Sequence, residues 1–240
     1  MINDENYSLA LLQKEYDARQ SMRDTISEVI TRYIPVGGDV LELGSGLGHN
    51  LDALAANYRV LGVEVLPDAV HKASERGIET IHANLEHEIN LKAESWDVVL
   101  CLDVLEHLIN PIACIQEAKR LLRPSGIFVI NVPNHFTLTC RIRMLLGAGL
   151  DAPNFFPEYH AWNYPHLRFF QYQSIKKTLE LGGFRIIEDL SWKVPAVPFL
   201  QRIPMLKGLC CLLAKFSPNL FCGGFFLILH KSNLLNSFSK

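Results

Sequence analysis

Two carboxylates and three closely spaced glycines are the residues of this chain whose types and intervals could do chemistry. The run Val40-Leu41-Glu42-Leu43-Gly44-Ser45-Gly46-Leu47-Gly48 joins a short apolar strand, with a carboxylate near its end, to a glycine-rich turn. Such a turn lets backbone amides approach a ligand closely, because no Cβ atoms stand in the way. Spacing separates the ligands. A dinucleotide-binding turn reads G-x-G-x-x-G and offers a helix N-terminus to a pyrophosphate. Here the third glycine comes one residue early, and Glu42 stands two positions before the first. Roughly twenty residues on, Arg59-Val60-Leu61-Gly62-Val63-Glu64-Val65 reads as a second buried strand, and a carboxylate placed like Glu64 accepts hydrogen bonds from ribose hydroxyls in nucleoside-binding α/β folds. Taken singly, each has a plainer reading: a tight connection for the glycines, a solvated strand end for Glu64.

The elements that must position these residues follow in order. A leading helix from about Tyr7 to Ile34 carries Met22, Ile26, Val29, Ile30 and Tyr33 at helical spacing, and Pro35 with Gly37-Gly38 ends it. A helix begins at Pro67 and stops near Gly77. Ile78 to His82 reads as a third strand and Trp96 to Leu102 as a fourth, followed by Asp103-Val104-Leu105-Glu106-His107-Leu108. Asn110-Pro111 starts a helix with a buried stripe of Ile112, Ile115, Leu121 and Leu122; Pro124-Ser125-Gly126 is its stop signal, and Ile127 to Val132 is a central strand. Near-continuous apolar strands alternating with helices imply a parallel sheet covered on both faces.

Glu42 with its glycine turn, Glu64, and the Asn84-Leu85 pair after the third strand together resemble the class I S-adenosyl-L-methionine-dependent methyltransferases, from about Val36 to Asn134 and more loosely to about Leu190. The resemblance implies a Rossmann-like, doubly wound, mostly parallel seven-stranded sheet, helices on both faces, with the last strand inserted antiparallel. It implies S-adenosyl-L-methionine as cofactor, held by Glu42, Gly44, Ser45, Gly46, Gly48, Glu64, Val65, Asn84, Leu85 and Leu102. Glu42 would face the methionine ammonium and Glu64 the ribose hydroxyls. Asn84 stands where the family usually has Asp; its amide oxygen can accept from the adenine amino group without the charge, and Asn also starts turns. Two branches add detail. Asp103, Glu106 and His107 are similar to an E-x-x-E-H motif of metal-dependent ubiquinone-pathway and small-RNA methyltransferases, with His166 in a comparable context, although Asp103 is one methylene short; no metal is assigned. Val63-Glu64-Val65, Arg76-Gly77-Ile78, Asn84-Leu85-Glu86 and Asn131 to Phe136 are similar to the methionine-biosynthesis W family, some members of which act with an acyltransferase partner.

Methyl transfer to oxygen or nitrogen needs alignment, exclusion of water and a proton acceptor. Asp103, Glu106, His107, His135, His160 and His166 are the candidates, and His107, just past the fourth strand, is the expected base; the plainer reading has Glu106-His107 capping the next turn. The sequence thus supports an enzyme acting on a small-molecule acceptor, against a binding subunit without turnover.

Composition limits the alternatives. The 240 residues fit one α/β domain with insertions, and a net charge of −2 supplies no basic field for nucleic acid. Cys101, Cys114, Cys140, Cys210, Cys211 and Cys222 form no C-x-x-C pair or zinc spacing. Buried thiols and a polar, acidic N-terminus suit a cytoplasmic protein. The segment 135–165, rich in aromatics (Phe155, Phe156, Tyr159, Trp162, Tyr164), reads as a lid. A helix from Ser174 to Leu181 and strands Phe184 to Glu188 and Phe225 to His230 follow. Between those strands, 195–224 is apolar, with Leu206, Leu209, Cys210, Leu213 and Phe216 on one expected helical face beside Lys207 and Lys215. Two occupants suit that face: the sheet or a second copy of the chain, as in a homodimer, or a membrane surface or lipidic substrate.

Overall fold

A computed structural model describes residues 20–147, 166–196 and 204–232. Seven strands form one sheet in the order β3-β2-β1-β4-β5-β7-β6: β1 Asp39–Leu43, β2 Arg59–Glu64, β3 Thr80–His82, β4 Trp96–Leu102, β5 Leu122–Pro133, β6 Phe184–Asp189 and β7 Gly224–Lys231. The first five run parallel, while β7 lies antiparallel between β5 and β6. Connecting helices are α1 Gln20–Tyr33, α2 His49–Ala55, α3 Pro67–Glu75, α4 Pro111–Leu121, α5 Leu138–Leu145, α6 Tyr172–Leu181, α7 Pro204–Phe216 and α8 Pro218–Phe221. The seven-stranded, doubly wound sheet expected from the resemblance is therefore present, with its antiparallel last strand.

Strand alternation builds two cores from one sheet. Leu41, Leu43, Val99, Cys101, Phe128 and Ile130 pack with Cys114, Ile115 and Ala118 of α4 and Ile175 and Leu179 of α6. Their neighbours Val40, Val98, Leu100, Ile127 and Val129 pack on the other face with Ile26, Val29 and Ile30 of α1, Leu51 and Leu54 of α2 and Ala73 of α3. Glu42 breaks the apolar run of β1, yet it is as buried as its neighbours.

Three expectations are adjusted. The leading helix is described from Gln20 onward; the part before it lies outside the described residues. α4 ends at Leu121, before Pro124-Ser125-Gly126, because Leu122 is already extended and opens β5. Pro124 is tolerated there since the β4–β5 register shifts between Trp96 and Val98. The expected apolar face of the late helix is split. In α7, Ala214 is buried and Cys210 and Leu213 half-buried, while Leu209 and Phe216 point outward with Leu212. α7 meets α8 and the turn Ser191–Lys193, a contact close enough for the Cys222 thiol to reach the Ala214 carbonyl at 3.7 Å. Of the expected lid, 138–145 is the helix α5, and its aromatic stretch and His160 lie outside the described residues. Among the described residues no helix is long and apolar enough to cross a membrane.

Candidate functional site

Strand order turns back on itself between β1 and β4, and the crevice at their carboxyl ends is where open α/β sheets bind ligands. The glycine turn leaves β1 on one side of that crevice, and Asp103 to His107 leave β4 on the other. Gly44, Gly46 and Gly48 all have positive φ (75°, 52° and 78°), backbone that side chains disfavour. At Gly44 the fit is also steric: a Cβ there would sit 2.4 Å from Cγ2 of Val104, the residue after Asp103. The turn is thus pressed against the opposite lip of the crevice.

Four amides of that turn are bonded within the protein. Gly44 and Ser45 both donate to the Val63 carbonyl, at 2.8 and 3.0 Å, and Gly48 donates to the Ser45 carbonyl at 2.9 Å. The Gly46 amide donates to Oε2 of Glu64 at 2.9 Å. β2 thus takes the amides of Gly44, Ser45 and Gly46, which locks the turn to that strand. What the turn offers is close approach of backbone and carbonyls. The Ser45 hydroxyl points at β2, since a Cβ on Gly62 would lie 2.4 Å from it.

Glu64 is buried and holds three amides: Gly46 on one oxygen, Val65 (2.7 Å) and Leu66 (3.0 Å) on the other. It locks the turn to β2 and also supports the start of α3, whose own N-cap residue, Leu66, makes no side-chain cap. A carboxylate has about four acceptor positions, so capacity for one more donor remains. Val65 is half-exposed beside it, and its carbonyl meets His82 Nε2 at 2.9 Å. Asn84 uses its amide oxygen to accept from the Glu86 amide at 2.9 Å, the turn-forming role, while Leu85 and Leu102 are buried at the edge of the crevice.

Glu42 is the second buried carboxylate. Asn50 of α2 donates to its Oε1 at 2.6 Å, and Oε2 has no hydrogen-bond partner among the described residues. Burial pushes its carboxyl up to about 8, the Asn50 hydrogen bond opposes this, and the nearby Glu64 charge adds to the rise. A buried acceptor of this kind fits a ligand carrying a positive charge. The folded-state value lies above the ordinary 4.5, so the stability Glu42 contributes is complete below about pH 4.5 and is lost as pH rises through about 8. The ligand-free protein should therefore lose thermal stability across that window, by up to about 1.4 kcal/mol per pH unit. Glu42→Gln should flatten the slope in a calorimetric pH series, and an unchanged slope would show that Glu42 is ionised throughout.

The other lip is a histidine cluster. Leu105–His107 form a 3-10 turn that leaves His107 exposed and Glu106 buried. The Glu106 carbonyl accepts from the amides of Leu167 and Arg168, which draws the segment from His166 onto the turn. The His107 and His166 rings meet edge-on at 4.7 Å. His166 Nδ1 lies 2.6 Å from His135 Nε2, so one ring donates and the other accepts. Burial first, then the His107 charge, lowers His135 to about 4, which keeps it neutral near pH 7. Glu106, His107 and His166 each direct a ligand atom into one space, all within 4.8 Å of one another.

Two features escaped the sequence. Asp103 has φ 54°, a strained conformation for a residue with a side chain, and Asn131 of β5 fixes it by donating from Nδ2 to Oδ1 at 2.7 Å. Asn131 also accepts the Asp103 amide on its carbonyl at 2.9 Å. The signal was available: Asn131 is the one amide inside the apolar run Ile127 to Val132. The His135–His166 contact joins residues 31 apart and carried no such signal.

Comparison with known proteins shows the family. The methyltransferase domain model matches residues 14–189. A Mycolicibacterium smegmatis protein named "Probable S-adenosylmethionine-dependent methyltransferase" is 31% identical over 157 residues, 64% of this chain and 54% of that one. The ubiquinone biosynthesis O-methyltransferase of Haemophilus ducreyi is 32% identical over 123 residues, 47% of this chain and 52% of its own. The chain thus spans about half the length of these curated relatives. A crystal structure of an S-adenosylmethionine-dependent methyltransferase from Clostridium acetobutylicum shares the fold with a TM-score of 0.60 at 13% identity, covering 89% of this chain and 92% of that one. With the matched model extending over most of its length, this chain belongs to the methyltransferase domain family.

Proposed function

We propose that the protein is a methyltransferase that uses S-adenosyl-L-methionine to methylate an oxygen or nitrogen of a small-molecule acceptor. The observation that carries the reading is the buried Glu42, whose Oε2 has no hydrogen-bond partner among the described residues, beside a glycine turn in which Gly44, Ser45 and Gly46 donate to β2. A pyrophosphate would meet like charge from two buried carboxylates, whereas a cationic, phosphate-free nucleoside finds one at each end. Glu42 would hold the ammonium, Glu64 the ribose hydroxyls, and Val65, Asn84, Leu85 and Leu102 the base-side wall. Once bound, the cofactor supplies an electrophilic methyl group. His107, across the crevice and exposed to it, takes the acceptor's proton. Asp103 stays in place through Asn131, and neutral His135 orients His166 against His107. The relative named for O-methylation in ubiquinone biosynthesis favours oxygen.

A second reading concerns the proton step alone. The convergence of Glu106, His107 and His166 would suit a divalent cation of the Mg²⁺ or Mn²⁺ type that lowers the acceptor's pKa. One experiment addresses both. The protein is incubated with S-adenosyl-L-methionine and a panel of phenols, catechols and amines, with and without chelator, and S-adenosylhomocysteine is measured. Turnover indifferent to chelator supports the histidine base, and turnover restored only by added Mg²⁺ or Mn²⁺ supports the cation. Absence of product on every acceptor, together with stable co-purification of another enzyme, would favour a binding subunit.

A further inference from the structure

The carboxyl end of the sheet carries more than the site. Because β7 runs antiparallel, α5 leaves β5, and α7 and α8 leave β6 and enter β7, all at that same end. α5 and α7 both pack against α8, and Asn134 ties the base of α5 to it by donating to the Asn219 and Cys222 carbonyls at 3.0 and 2.7 Å. Both α5 and α7 turn an apolar row to solvent. On α5 and the residue after it these are Ile142, Leu145 and Leu146, the last two 86% and 81% exposed. On α7 they are Leu209, Leu212 and Phe216, the last two 65% and 87% exposed. Spacings of three and four residues place each row along one helical face. Soluble surfaces rarely gather large apolar side chains this way without a partner.

Charge identifies the partner. The chain as a whole is slightly acidic, with net charge −2. Yet no Asp or Glu lies between Glu117 and Asp151; Arg141 and Arg143 of that stretch belong to α5, while Lys119, Arg120 and Arg123 stand at the other end of β5, Arg120 paired with Glu117 and Arg123 with Asp39 and Asp97. No Asp or Glu follows Asp189 either, where Lys193, Arg202, Lys207, Lys215, Lys231 and Lys240 stand. Lys193 is matched by Glu28 of α1 at 2.6 Å, and Lys231, at the opposite end of the sheet, by Glu94 at 3.6 Å, whereas Arg141 of α5 and Lys215 of α7 make no ion pair among the described residues. Apolar rows on short helices flanked by cations and free of acids are built to lie in an anionic lipid interface.

We propose that the α5–α7 face docks the protein on the surface of an anionic lipid bilayer, with the mouth of the crevice toward the membrane. This goes beyond the assignment of the reaction and does not depend on it. The test is co-flotation of the full chain with phosphatidylcholine vesicles, with and without phosphatidylglycerol, at low and high salt. Binding should require phosphatidylglycerol and weaken at least about tenfold at high salt. The double variant Leu212→Asp/Phe216→Asp should reduce it by at least about tenfold, with calorimetric affinity for S-adenosylhomocysteine unchanged, which confirms the variant's fold and reads the cofactor site separately. Failure to float, or equal flotation of the double variant, overturns the proposal. So does a concentration-dependent dimer in sedimentation that the double variant abolishes, since the face would then belong to a second copy.

Discussion

Replacing Glu64 with Ala should weaken S-adenosylhomocysteine binding by about 1.5–3 kcal/mol, roughly ten- to hundredfold or somewhat more, when titrated by calorimetry. The wild-type carboxylate does two jobs. It anchors the amides of Gly46, Val65 and Leu66, and in the proposed site it would accept from a ligand hydroxyl as well. The substitution strips three amides of their charged acceptor, so stability should fall too, by about 2–4 °C in Tm for each kcal/mol lost in a chain this long. Glu64→Gln should be intermediate, because one carbonyl oxygen remains to accept while its amide group opposes the backbone donors. A fall in Tm with unaltered affinity would mean that Glu64 only braces the turn. Binding of NAD in place of S-adenosylhomocysteine would overturn the cofactor assignment itself.

His107→Ala should lower kcat by about a hundred- to ten-thousandfold while leaving S-adenosylhomocysteine affinity intact, the pattern of a group used in proton transfer and not in ground-state binding. The side chain is exposed on a short 3-10 turn and meets the His166 ring edge-on, outside the buried core, so the variant should still fold. His135 offers a control. Held neutral by burial, it should shift the activity through the orientation of His166, and His135→Asn should cost less than the loss of His107. If the His107 variant turns over as fast as the wild type, alignment of the acceptor alone carries the rate, as it can for a methyl group that is already electrophilic.

The sheet was legible because its strands announce themselves. Val98 to Leu102 and Ile127 to Val132 are apolar on both faces, and only a strand covered by helices on both sides reads that way. Residues bound to backbone geometry were legible for the same reason: Gly44 has to be glycine because φ and Val104 together exclude a Cβ. The direction of the turn's amides was not, because it depends on which carbonyl of β2 lies opposite, and Val63 is set by sheet register. The histidine cluster was half legible. His107 follows its strand directly, but His166 arrives only through the Glu106 carbonyl, a backbone contact that no side-chain pattern encodes. The α7 face was legible only in part, because three- and four-residue spacing defines a stripe without saying which side turns inward; Ala214 is the residue buried there.

The position of β7 has a consequence for how the chain is made. β6 is an edge strand whose one partner in the sheet is β7, and β7 also covers β5. During synthesis, therefore, β5 emerges with one side unpaired and β6 has no neighbour at all until residues 224–231 leave the ribosome. The half formed by β1 to β4 can assemble as it appears, but β6 and the open edge of β5 must wait for β7. Until then two apolar strand edges are available to other nascent chains. The protein's demand for chaperones is thus set late in translation, by a strand remote in sequence from every residue of the site.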